Sequence, residues 1–533
     1  MSKVIGGKRR MKKIRMKKFR ISVISVLMIT VLLLSACSTG NNTNGANKAS
    51  DESDDRVLNI SIPHDLTSVD PHGANTIHDY DVWTQIYEPL YSRNEVTGEL
   101  VPRIAESYTI SDDGTTYTFN IRKGVKFHNG NELKASDVVF SFERAMGLPI
   151  PSAYLTSVEE VTATDDYTVT FTLNKPDAAF IINQYLIFVV SQEEVEAQGD
   201  EFGTKVFLGG TGPYYLTLLK RDTEWTLEAF SDYYMGEPEI KKVRYVPITD
   251  VTAGQIALES GELDWYAIPV SSWDALSANP NFNSELVITT STYFVGLNFR
   301  NGPLEDDNLR LAIAYAIDKE AINVAAVNGL GREADFLVPE QHTGAPTEGL
   351  TYNRDLEKAK EYLAKSDYPE GTNIGTISCA SGSIAEKIAQ VLQANLGEIG
   401  LTTDIKRLDA TNMYANIRAQ EYDIAVDQRE IDGDFEGYRN VLYTKSEGSY
   451  RVKFKDSKFD WEKMDELWDA GIAVTDVDER TAIYTELNNM IMETVSILPV
   501  IQNVRPFVWT KDLTIPMNNP CYAQIYEWSW NDQ

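Results

Sequence analysis

The chain has 533 residues, with 79 Asp and Glu against 49 Lys and Arg, for a formal net charge of −30. A body this acidic repels nucleic acid, so no nucleic-acid partner is expected. The length exceeds what one core supports and predicts two or three domains.

The first element is a leader. Ten Lys or Arg and no acid lie between Met1 and Arg20, and Ile21 to Leu34 is apolar apart from Ser22, Ser25 and Thr30. That is the basic and apolar pattern of an export signal. The apolar run has 14 residues, short of the ~20 a spanning helix needs. It ends in Leu34-Ser35-Ala36-Cys37, a match to the bacterial lipoprotein box, in which cleavage falls before a lipid-bearing cysteine. We expect residues 1–36 to be a signal peptide, Cys37 to carry lipid, and the body to work outside the cytoplasm, anchored to the cell membrane. Losing the ten leader cations would take the net charge from −30 to −40. Residues 38–55 (STGNNTNGANKASDESDD) offer nothing to bury, so 37–55 reads as a disordered tether.

Leu58 to Ile62 alternates as a strand, and Asp81 to Leu90 reads as a short helix with aromatic anchors. Tyr108–Ile110 and Tyr117–Ile121 flank an Asp-Gly turn, which predicts a hairpin. A capped helix is expected at Ser136–Ala145, with Ser136 ahead of the stripe Val138, Val139, Phe142. A second hairpin follows, from Val161–Thr164 to Tyr167–Leu173, so residues from about 100 to 200 read as a hairpin-rich α+β unit. Strands are then expected at Tyr214–Leu219, Trp225–Phe230 and Lys242–Val246, with a helix at Ala253–Ser260 stopped by Gly261.

After Tyr293–Phe299 the texture changes. One long helix is expected over Leu309–Asn328, with others at Asp355–Ala364 and Ile384–Ile399, the last stopped by Gly400. The strand Leu401–Ile405, the helix Met413–Ala419 and the strand Tyr422–Val426 follow. Strands alternating with helices predict an α/β domain with a largely parallel sheet. Helices at Trp461–Ala473 and Glu479–Glu493 and a strand from Ile497 to Trp509 close the chain.

Catalytic motifs are missing. There is no Gly-x-Ser-x-Gly elbow, His-Glu-x-x-His, Walker loop or Cys-x-x-Cys, so no enzyme and no cofactor is expected. His64, His72 and His78 crowd together, but their spacing and the lack of a nearby Cys do not make a metal site. With Cys37 lipidated, Cys379 and Cys521 are left, and the sequence leaves their pairing open.

A set of local sequences then converges. They are Val69-Asp70-Pro71-His72, Tyr87-Glu88-Pro89-Leu90-Tyr91, the run from Gly98 to Ala145, Gly210-Thr211-Gly212-Pro213-Tyr214, Leu258 to Asp264, and Val295 to Asp318. With these the chain resembles the family 5 extracellular solute-binding proteins, the oligopeptide- and dipeptide-binding lipoproteins of bacterial ABC importers, from about Leu58 to Trp509. The resemblance implies an α/β, two-lobed periplasmic-binding-protein-like fold with a hinge and an extra hairpin-rich α+β domain in the first lobe. Lobe I would take 56–95, 205–295 and 505–533, the insertion 96–204, and lobe II 296–504. The crossings near Thr290–Phe299 and Val500–Arg505 would be the hinge strands.

Function follows from the same resemblance: a monomer that captures an oligopeptide or dipeptide between its lobes and hands it to the permease and ATPase subunits. The same fold also serves for an oligosaccharide or another small solute, and for a surface sensor or adhesin without transport. The family places an ammonium-binding acid shortly after a Tyr-Asp-apolar-apolar strand. Here the strand is Tyr422-Asp423-Ile424-Ala425 and the matching acid is Asp432, next to Gly433. Peptide-pairing backbone would lie at Gln428, Arg429 and Glu430, faced by the lobe I loop Gly73 to Asp79, which holds Ile77 and His78. The chain departs from the family segment, close to Gly-Trp-x-x-Asp-Tyr-x-Asp-Pro: Arg429 replaces the Trp and the Pro is missing. Arg429 is therefore a candidate for a ligand carboxylate.

Overall fold

The computed structural model describes residues 56–73, 77–94, 99–299, 302–340, 342–430, 434–444, 459–516 and 524–531. The expectations for Cys37, the tether, Asp432, Gly433 and Cys521 lie outside these residues. At Ile77 and His78 only the backbone is described. Everything described belongs to one compact unit, Glu52–Gln533. Among the described residues, no helix is long and apolar enough to cross a membrane.

The strands that matter are, in chain order, β1 (Val57–Ile62), β2 (Ala105–Ile110), β3 (Thr116–Ile121), β4 (Val158–Asp165), β5 (Thr168–Leu173), β6 (Tyr214–Lys220), β7 (Glu224–Ala229), β8 (Lys242–Pro247), β9 (Trp265–Ala267), β10 (Phe282–Leu297), β11 (Arg332–Glu333), β12 (Asn373–Ala380), β13 (Thr402–Leu408), β14 (Ile424–Glu430) and β15 (Ile497–Thr510). The helices around them include α1 (Ile77–Ile86), α2 (Ala135–Met146), α3 (Asp307–Ala316), α4 (Lys319–Val327), α5 (Ile384–Glu398), α6 (Ala410–Ala419), α7 (Trp461–Ala473) and α8 (Val477–Glu493).

One sheet runs through the body in the order β13-β12-β14-β10-β15-β9-β1-β8-β7-β6, with β11 pairing β15 beside this path. The long strands β10 and β15 are its spine. Phe282–Ile288 pairs with Val504–Thr510, then the register breaks between Ile288 and Thr292, and Thr292–Gly296 pairs with Ile497–Gln502. On one side of the break lie β9, β1, β8, β7 and β6; on the other lie β14, β12 and β13. A break in register relaxes the ladder locally and turns the strands, so each spine strand serves two half-sheets.

The hairpin expectation holds: β2, β3, β5 and β4 form a separate antiparallel four-stranded sheet, closed by Gly114 at φ 69° in the first turn. Its core gathers Tyr117, Phe119, Phe142, Phe171 and Phe180. A second core packs Trp83, Trp225, Trp265 and Trp509 under β1, and a third packs α3, α4 and α5 against β12 and β14.

Four expectations are corrected. The first helix begins at Ile77 and ends at Ile86, because Glu88-Pro89 cannot continue it. The α2 helix starts at Ala135 after Lys134, whose N–H donates to Asp137 Oδ2 at 3.0 Å, so Ser136 is not the cap. The long helix over 309–328 is two helices, since Asp318 adopts extended backbone and caps α4 through Ala321 N–H at 2.8 Å. The second-half sheet is mixed: β12 runs parallel to β13 and β14, but β14 and β15 are antiparallel to β10.

Candidate functional site

The site is built at the C-terminal end of β14. This strand pairs antiparallel with β10, with Ser291 opposite Glu430, Thr292 opposite Arg429, and Tyr293 opposite Gln428. Three of the expected site residues thus sit beside the register break of β10. The other edge of β14 is covered by β12 only at Ile424 and Ala425. From Asp427 to Glu430, no described strand pairs with that edge.

Side chains flank this edge. Gln428 Oε1 accepts from Ser291 Oγ at 3.1 Å. Burial, with Asp427 and Glu430 nearby, pushes the Tyr293 hydroxyl up. Tyr414, half exposed on α6, is pushed up by burial and Asp427 and eased by Arg429. Arg429 likewise eases Tyr438, which burial pushes up. The charges of Arg429 and Asp427 are thus felt by the tyrosines around this end of β14.

The turn after the strand resumes at Asp434, and here the structure supplies what sequence reasoning missed. Asp434 is buried and accepts from Glu436 N–H at 2.8 Å and from Arg480 Nη2 at 3.0 Å. Its Oδ2 has no hydrogen-bond partner. Burial pushes its carboxyl up, against Arg480, the Glu436 N–H and Arg93, while Asp177 adds to the rise. Glu436 beside it is pushed up to about 8, first by burial, with Arg439 opposing and Asp434 reinforcing. Phe435 stacks on Tyr484 at 4.8 Å and packs on Trp468 at 5.2 Å. Arg93 and Asp177 belong to the first part of the chain, so this anchor faces across to it. Ala178 N–H donates to Ile472 O at 2.7 Å at the end of α7, a direct contact between the two halves. Arg480 lies 46 residues away from Asp434, and no local motif marks it.

The segment expected to face the site is not a loop throughout, since Ile77–Asp79 form the first turn of α1, and the described residues on either side of 74–76 are pinned. Asp70 pairs with Arg144 at 2.6 Å and accepts from His72 N–H at 2.9 Å. His72 Nε2 contacts the Phe188 carbonyl at 2.9 Å and must donate to it, so Nδ1 accepts from Arg144 Nη1 at 2.8 Å. Burial, then Arg144, holds this imidazole down at about 4, consistent with a neutral ring. At the far end, Asp79 Oδ1 accepts from Thr67 N–H at 2.7 Å. Trp83 Nε1 on α1 and Tyr87 Oη just beyond it donate to the carbonyls of Ser68 and Val69. His72 is thus a fastener of this segment, a role the crowding of histidines did not reveal.

Comparison with known proteins matches residues 99–450 to the bacterial extracellular solute-binding proteins, family 5. The glutathione-binding protein GsiB of Salmonella paratyphi A is 26% identical over 478 residues, covering 85% of this chain and 90% of the relative. The crystal structure of the ABC transporter substrate binding protein CtaP from Listeria monocytogenes superposes with a TM-score of 0.82 at 25% identity, covering 90% of this chain and 100% of that one. The periplasmic binding protein DppA from Helicobacter pylori, in complex with the peptide STSA, gives a TM-score of 0.74 at 23% identity, covering 90% and 98%. The fold of these neighbours is two-lobed.

Proposed function

The chain belongs to the family 5 bacterial extracellular solute-binding proteins, and from that membership we propose that it is the substrate-binding component of an ABC importer for short peptides. The family is not one of enzymes, and it works outside the cytoplasm. The observation that carries the peptide reading is that β14 brings the backbone of Gln428 and Arg429 beside the register break of both spine strands. A peptide added there as a strand gains main-chain hydrogen bonds whatever its side chains. The relatives support this class: GsiB is named for glutathione and the DppA structure holds a tetrapeptide.

Within this reading Asp432, just beyond β14, takes the peptide ammonium, since an unpaired buried charge costs several kcal/mol. Gln428, Arg429 and Glu430 give the pairing backbone, and Gly433 the turn. Arg429 takes the terminal carboxylate of a short peptide, held by Tyr414 and Tyr438. The start of α1, which carries Ile77 and His78, closes from the other lobe. Closure bends β10 and β15 near Thr289–Thr292, where the ladder is already broken. The lipid on Cys37 and the 38–55 tether hold this body near the permease.

Mass spectrometry of ligand released from the purified full chain tests the proposal. A mixture of short peptides is expected; a single glycan, or no ligand, overturns it. Asp432→Asn should weaken free-amine peptides more than their N-acetylated forms, and equal loss removes the ammonium role. Cys37→Ser should release the chain from the membrane fraction, and retention there refutes the lipid anchor.

A further inference from the structure

A cavity of about 70 Å³ lies along α1, several times the space one water needs. Its walls come from α1, Tyr87–Pro89, Ser92, Arg93 and Arg103, and from Tyr185, Phe188, Pro213, Tyr233, Gln524 and Tyr526. No residue between 296 and 504 lines it, so it is separate from the β14 edge. Gln85 Oε1 holds the last wall in place by accepting from Ile525 N–H at 3.2 Å.

Two groups in this cavity are unfinished. Glu88 is buried, and its Oε1 accepts from Tyr233 Oη at 2.7 Å and Tyr234 Oη at 3.0 Å. Its Oε2 is buried without a hydrogen-bond partner. With Oε1 filled by two donors, a proton on this acid sits on Oε2 and needs an acceptor. Burial raises the carboxyl to about 7, with Arg103 as the main opposing charge, so the protonated form is populated near neutrality. Arg103 is the second group. Its Nε donates to Ser92 Oγ at 2.8 Å, Nη1 to Met235 Sδ at 3.5 Å and Nη2 to Gln524 Oε1 at 3.4 Å. All three acceptors are neutral. Tyr80, Tyr185 and Phe188 supply apolar wall.

We propose that this cavity is a second ligand site, for a short organic carboxylate. One carboxylate oxygen meets the Arg103 guanidinium, the other accepts from Glu88 Oε2–H, and the hydrocarbon part lies against Tyr80, Tyr185 and Phe188. An anion completes both groups at once, whereas a cation would satisfy only an ionised Glu88 and would face Arg103 and the nearby Arg93. The proposal does not rest on the peptide reading.

The test uses the full chain, refolded from urea to strip ligand, and calorimetric titration with butyrate, butyramide and tetra-alanine. Butyrate should bind and butyramide should not. Saturating tetra-alanine should leave butyrate affinity unchanged. Arg103→Met should weaken butyrate on the order of tenfold or more, the loss of a charge-assisted pair, with tetra-alanine affinity unaltered. The groups facing Glu88 are Arg103, Arg122, Tyr233 and Tyr234, with Glu527 beside Arg103. Over pH 6 to 8.5 the raised Glu88 carboxyl loses its proton, so wild-type butyrate affinity should fall on the order of tenfold over that range. In Glu88→Gln it should stay flat, which decides the matter if Arg103→Met does not fold. Equal binding of butyramide, no binding of butyrate at millimolar concentration, or displacement of butyrate by tetra-alanine overturns the proposal. If tetra-alanine fails to bind while butyrate binds, the peptide reading falls and this one stands.

Discussion

Replacing Arg480 by Met removes the one cation hydrogen-bonded to Asp434 while keeping most of the aliphatic stem. Asp434 and Arg480 are 1% and 2% exposed, and their contact is 3.0 Å. Breaking a buried pair by removing one partner costs about 3–5 kcal/mol, because the other charge is left uncompensated. A ceiling applies, since the stranded acid can take a proton. From its ordinary 3.8, protonating Asp434 at pH 7 costs about 4.4 kcal/mol, and at pH 5 about 1.6 kcal/mol. The expected loss is therefore about 3–4 kcal/mol at pH 7 and under about 2 kcal/mol at pH 5. The sign follows from proton uptake: in the variant the native state binds more protons than the unfolded chain above pH 3.8, so its stability falls as pH rises. Urea denaturation of wild type and variant at both pH values measures this. A loss below about 1 kcal/mol at pH 7, or a difference that does not shrink at pH 5, refutes the reasoning. Arg480→Met with Asp434→Asn should recover a large part of the loss.

Glu88→Gln should change the pH response of stability. The folded carboxyl titrates at about 7 rather than 4.5, so wild type loses about 3 kcal/mol as pH rises through that window. The amide keeps an acceptor for Tyr233 and Tyr234, and urea midpoints at pH 5 and 8 should show the slope reduced by about that amount, with the part due to Glu436 remaining. Trp468→Ala should cost about 3–5 kcal/mol in urea denaturation, because this side chain is fully buried against Phe435 and Tyr484. Ser141→Ala should cost about 1–3 kcal/mol, since Ser141 Oγ accepts from Val190 N–H at 3.0 Å and donates to Asp137 O at 2.7 Å.

Periodicity and turn chemistry made the local elements legible. The Asp-Gly turn, Gly261 at φ 77° and Gly400 at φ 83° were read as breaks and are breaks. Leu309–Asn328 was misread because its apolar spacing continues across Asp318, and spacing is blind to a side chain that turns back to cap the next helix. Asp434 follows closely on the expected acid Asp432, but the sequence does not show that Asp434 is buried. That depends on Arg480, brought near by α8, and on Arg93 and Asp177 facing it.

The sequence by itself determined the order of the elements, the hairpin-rich unit and the family. These are fixed by short-range spacing and by motifs read along the chain. Only the tertiary structure decided which groups are incompletely matched: Asp434 Oδ2 and Glu88 Oε2 have no hydrogen-bond partner, and Arg103 is met by neutral acceptors alone. Whether a polar group is satisfied depends on which distant segments pack around it and exclude water, and no local pattern encodes that.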